Sequence, residues 1–139
     1  MLDGIVSNYL LREIKGLLQL ATEDELVKLQ KLLALQIGNM ISYNELSSSA
    51  NLSYLEIKKH INILEKTFII SLIRPYFTNK RTELVKNPKV YFTDFGLSNL
   101  IINDFRNIDE RGDCGAIMEN YSFNVLKEYF PAINIHYWR

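Results

Sequence analysis

Six cations stand where they could meet phosphate groups: Lys58 and Lys59, then Lys80, Arg81, Lys86 and Lys89. Ammonium and guanidinium groups on one surface neutralise a nucleic-acid backbone and release its counterions. Tyr54 and Asn62, interleaved with the first pair, carry hydrogen-bonding groups able to reach base edges. These cations belong to a wider segregation. Residues 54–89 hold eight bases and three acids, a net +5, against −2 for residues 1–53 and −3 for residues 90–139, so the whole chain sums to zero. The basic middle third is where an anionic partner is sought. A merely solvated basic face would show the same residues. Backbone contact is favoured over base-specific readout, because the helix carrying Lys58 and Lys59 has no arginine on its exposed face to read guanine.

Other residues capable of chemistry are isolated. His60 falls beside the apolar stripe of its helix and His136 stands near Trp138. Two lone histidines far apart in sequence are expected to be structural, and no metal is assigned to them. Cys114, the single cysteine, excludes an internal disulfide and a cysteine-based zinc site, fits a reducing cytosol, and reads as an inert thiol. The glycines at 4, 16, 38, 96, 112 and 115 form neither phosphate-cradling spacing, so ATP binding by the standard route is not expected and no cofactor is implied. Glu119 and Glu128 are nine residues apart on one helix, nearly opposite each other, and cannot act as a carboxylate pair. Glu119, after apolar Ile117 and Met118, is a possible metal ligand at a sheet edge, with a hydrogen-bonded or solvated carboxylate as the plainer reading.

The elements that must position these groups are punctuated by three Ser/Thr-x-x-Glu capping boxes: Thr22 with Glu25, Ser42 with Glu45, and Ser53 with Glu56. Before the first, Tyr9, Leu10, Ile14, Leu17 and Leu18 recur at helical spacing. After it, Leu26, Leu29, Leu33 and Ile37 do the same, predicting a helical hairpin over residues 1–38 stopped by Gly38 and Asn39. A short helix from Tyr43 to Ser49 and a longer one capped by Ser53 form a helix-turn-helix, with Ile57, Ile61 and Leu64 inward. A strand from Phe68 to Arg74, a basic loop, and a strand from Lys89 to Thr93 add a wing. The winged-helix unit spans 39–103 and ends with a short helix from Phe95 to Asn103. Residues 104–113 read as a linker or mobile loop.

Residues 114–139 supply a helix from Ala116 to Phe130 and a terminal strand. On that helix Ile117, Tyr121, Val125 and either Leu126 or Tyr129 are expected inward. A strand without a successor is not stable alone, so a fragment, or pairing outside the chain such as a homodimer through this strand, is expected. With 139 residues and 47% hydrophobic composition, the chain suits one small soluble globular unit, mainly α with a small β wing (α+β). It has neither an export leader nor a membrane span in its sequence and is expected in the cytoplasm.

The run Leu84-Val85-Lys86-Asn87-Pro88-Lys89-Val90-Tyr91-Phe92-Thr93-Asp94-Phe95-Gly96-Leu97 resembles a stretch found in a large prokaryotic group of AAA+ family ATPases with a C-terminal domain of undefined role. Tyr9-Leu10 with Arg12-Glu13-Ile14, Leu64-Glu65-Lys66-Thr67-Phe68, and Gly115-Ala116-Ile117-Met118-Glu119-Asn120 followed by Tyr137-Trp138-Arg139 agree in order. The resemblance implies a winged helix followed by the start of a restriction-endonuclease-like α/β domain, with Glu119 as its first acidic residue. The strand that would carry further acidic residues, and the ATP-binding core, do not occur in this sequence. The expectation is therefore a non-catalytic DNA-binding module of such an ATPase. The alternative is a structural module that packs on the ATPase core or a second copy without touching nucleic acid.

Overall fold

The computed structural model describes residues 23–131 and 134–138. The expected helix at residues 9–18 and the Thr22 cap lie outside the described residues. Helix α1 (Glu23–Leu35) buries Leu26, Leu29 and Leu33, three residues spaced to share one face. It ends before Gly38, which instead takes a left-handed turn (φ 75°) that sends the chain alongside a later strand.

The helix-turn-helix follows. In α2 (Tyr43–Ala50) the Ser42 hydroxyl accepts from Glu45 N–H, and Asn51 closes the helix in the left-handed region at φ 57°. Helix α3 (Tyr54–Lys66) begins with a reciprocal capping box. Glu56 N–H donates to Ser53 Oγ at 3.2 Å, and Ser53 N–H donates to the Glu56 carboxylate at 2.7 Å. Ile57, His60, Ile61 and Leu64 form its buried stripe against α2.

Strands β1 (Ile70–Ile73) and β2 (Lys89–Phe92) pair antiparallel, Ile70 opposite Phe92 and Ile73 opposite Lys89. The fold is thus mainly α with a small β wing. The connection is not the basic loop expected from its polarity. Residues Lys80–Val85 form a short helix, α4, because Asn79 accepts from Arg81 N–H and nucleates a turn.

Alternate residues of β2 turn their peptide groups to the edge away from β1. Val90 there bonds to the backbone of Gly38 and Asn39. Among the described residues, Phe92 has no strand beside it on that edge. Its N–H donates to Asn120 Oδ1 and its carbonyl accepts from Asn120 Nδ2, both at 2.8 Å.

Asn120 belongs to α6 (Cys114–Tyr129), reached through α5 (Phe95–Ile102), which packs on α1, and a 3-10 turn (Ile108–Glu110). The inward face of α6 differs from the expected one. Asn120 and Phe123 are buried and Ile117 is half-buried, whereas Tyr121, Val125, Leu126 and Tyr129 are exposed. Two unpaired peptide groups at Phe92 and the stacking of Phe123 on Tyr91, centroids 4.8 Å apart, set the helix's rotation in preference to its hydrophobic pattern.

Residues 104–113 do not run free. The Arg111 side chain, 4% exposed, forms a two-point pair with Asp113 (2.7 and 2.8 Å) and donates to Asn99 Oδ1 (2.7 Å) and the Asp104 carbonyl (3.1 Å). The terminal strand is reduced to one parallel bridge between Tyr137 and Pro75, inside the chain: Tyr137 N–H donates to Arg74 and Tyr76 N–H to Tyr137. Among the described residues, no helix is long and apolar enough to cross a membrane.

Candidate nucleic-acid interface

Helix α3 presents Tyr54, Lys58, Lys59 and Asn62 to solvent because these positions fall opposite Ile57, His60, Ile61 and Leu64. The Tyr54 ring leans on Tyr43 of α2, centroids 5.9 Å apart, which orients it on the outer face. The structure brings Lys58, Lys59 and Asn62 to one wall of a cleft of about 440 Å³ between α3 and β1. The opposite wall carries Arg74, which the linear sequence gives no reason to associate with α3. No signal in the sequence marks it beyond its place at the end of a strand that must return past that helix.

The wing cations divide. Arg81 and Lys86 are exposed and make no ion pair among the described residues. Lys80 pairs with Glu83 at 3.2 Å, one helical turn away, while remaining mostly exposed. Lys89 is not a free wing cation. Its Nζ lies 2.7 Å from Glu119 Oε1 and 5.3 Å from the centre of the Tyr137 ring, so its charge is neutralised within the fold.

Glu119 is correspondingly not an open ligand. The same oxygen accepts from the Tyr91 hydroxyl. Burial opposes its charge, but the hydrogen bonds from Lys89 and Tyr91 outweigh that and hold the carboxyl below its usual value. Burial foremost, and the Glu119 hydrogen bond next, push the Tyr91 phenol far up. Among the described residues, no three His, Cys, Asp or Glu side chains converge as a metal site would require. His60 is buried, its Nδ1 lies 2.6 Å from the Glu56 carbonyl and its Nε2 has no hydrogen-bond partner among the described residues; burial lowers its pKa. His136 stands 3.7 Å from Glu83, and Cys114 opens α6 half-buried.

A sequence profile for a domain of unknown function, DUF8612, matches residues 1–108. The chain belongs to this family. The DUF8612 match takes in α1 to α5, and with them the α3 face, the cleft and the wing; α6 with Glu119 and Asn120 falls after it. Two curated relatives are uncharacterized protein Mb2031c of Mycobacterium bovis and uncharacterized protein Rv2008c of Mycobacterium tuberculosis. Each is 22% identical over 139 residues, covering 99% of this chain and 32% of the relative. This DUF8612 chain thus spans about a third of the length of those relatives. No solved structure matches it.

Proposed function

We propose that the chain is a non-catalytic winged-helix module that binds duplex DNA through phosphate contacts, within a prokaryotic ATPase of the AAA+ type. The observation that carries the DNA reading is the outer face of α3. Four polar or basic side chains project from it unburied, and Arg74, the residue after β1, joins them. Arg81 and Lys86 extend the positive surface along the wing. With Lys89 withdrawn onto Glu119, about four to five cations are available, and a salt slope of roughly −3 to −5 in log K against log salt is expected. The parent ATPase is supported only by the run from Leu84 to Leu97 and the three shorter motifs that accompany it.

Fluorescence anisotropy of a labelled generic duplex, titrated with the chain at several salt concentrations, tests this reading. Binding that weakens with salt at that slope, and is lost when Lys58, Lys59, Lys80 and Arg81 are all changed to Glu, supports it. Salt-independent binding, or none at low salt, refutes it.

One observation favours a second reading, a protein-interaction module. Met118, Tyr121, Val125, Leu126 and Tyr129 leave α6 with an exposed apolar face of the kind that meets a protein. Such a module would pack on the ATPase core or on a second copy. Sedimentation of the chain alone and with the remainder of its parent separates the two readings.

A further inference from the structure

We propose that the cleft between α3 and β1 is a clamp for a backbone phosphate of the bound duplex, with Arg74 as its principal ligand and Lys58 as its second. The inference rests on the duplex-binding reading above and names the contact that gives it register.

Arg74 is tethered but not satisfied. One Nη1 hydrogen bond, 3.1 Å to the Leu84 carbonyl, fixes the guanidinium against α4. Among the described residues its remaining N–H groups have no hydrogen-bond partner, and none is sealed from solvent. The acid on the cleft wall, Glu65, feels the Arg74 charge but does not reach it. It forms no ion pair with Arg74 within 4.0 Å. Burial raises the Glu65 pKa, and the nearby Arg74 charge offsets part of that rise.

A recess walled by Arg74, Lys58 and Lys59 therefore gathers positive charge without a matching carboxylate at bonding distance. An anion entering it relieves that repulsion. The planar fork of arginine matches two oxygens of a phosphodiester, and a tethered fork loses little freedom on binding. Asn62, on the same wall, can donate its amide to one of those two oxygens. Because Lys58, Lys59 and Asn62 of α3 line the cleft, a strand lying along α3 passes over it. Position 74 directly follows β1, so nothing in the sequence of α3 itself points to an arginine on this face.

The test is the salt dependence of duplex anisotropy for the full chain and three variants, each checked for unaltered far-ultraviolet circular dichroism. Loss of one phosphate contact lowers the slope by about 0.9 and the affinity roughly eightfold at 0.1 M salt. Arg74→Gln should show both changes, and Arg74→Lys, which keeps the charge but not the fork, should keep the slope and lose part of the affinity. If Arg74→Gln leaves the slope unchanged while the double variant Lys59→Gln, Arg81→Gln lowers it, the clamp is wrong and the duplex reading stands. If the unmodified chain shows no salt-dependent binding, both are wrong. Inorganic phosphate at matched ionic strength is the last arm. Unaltered duplex binding supports a strand phosphate as the ligand, and displacement of the duplex by millimolar phosphate reassigns the cleft to the free ion and overturns the proposal.

Discussion

Replacing Asn120 by Ala tests the way α6 is held on the wing. The amide is fully buried and serves both peptide groups of Phe92. The two are not equally exposed to its loss, because Asn124 Nδ2 also donates to the Phe92 carbonyl at 3.1 Å. Truncation therefore orphans the Phe92 N–H, costing about 1–3 kcal/mol, and adds a smaller term for the void left beside it. A total of about 2–3 kcal/mol corresponds to roughly 5–10 °C in midpoint for a chain of this size.

The assay is urea unfolding followed by circular dichroism at 222 nm, paired with hydrogen exchange of single amides. Phe92 should lose protection selectively, while Val90, bonded to Asn39, keeps its own. Asn120→Asp is the informative companion. It retains an acceptor for Phe92 N–H but sets a second carboxylate oxygen against the Phe92 carbonyl, so it should recover stability as pH falls and the group protonates. A loss below about 0.5 kcal/mol in Asn120→Ala, with Phe92 exchange unchanged, would refute the account.

Three further outcomes are expected. Glu119 has a folded pKa below its unfolded value, so it stabilises the fold above about pH 4.3 and loses that contribution as pH falls through the folded value. Glu119→Gln should flatten the acid limb of the urea midpoint and, by releasing Lys89, steepen the salt slope of duplex binding. His60, also lowered, binds its proton more readily in the unfolded chain; stability should therefore fall as pH drops below about 6.5, and His60→Gln should remove that dependence between pH 7.5 and 5.5. Phe68 holds φ 60° with its ring 77% exposed. Phe68→Gly should leave the thermal midpoint unchanged or raise it by a few degrees, because about 1 kcal/mol of relieved backbone strain stands against the entropy of glycine.

Features written in adjacent residues were readable in the sequence. Ser53 and Glu56 bond to each other, and the apolar spacing of Ile57, Ile61 and Leu64 settles which face of α3 looks outward. Features set by a distant partner were not. Nothing near Asn120 indicates that it closes an edge at Phe92, so the hydropathy of the helix points to the wrong inward face. Residues 104–113 read as a linker because the groups that bury Arg111 include Asn99, on another helix. In the wing, Asn79 outweighed a polar composition typical of loops; Asn at an N-cap with Glu83 in the first turn was the available signal. The candidate site was half legible, with the α3 face from periodicity and Arg74 only from the return of β1.

Asn120 and Arg111 together have a mechanical consequence. One joins α6 to the backbone of β2, and the other joins its start to Asn99 on α5. A helix pinned at two separate points does not swivel about either of them. A torque applied to α6 is delivered to β2, and through the β1 ladder to the strand end that carries Arg74. Whatever grips α6 would thus steer the cleft beside α3 as a handle steers a blade.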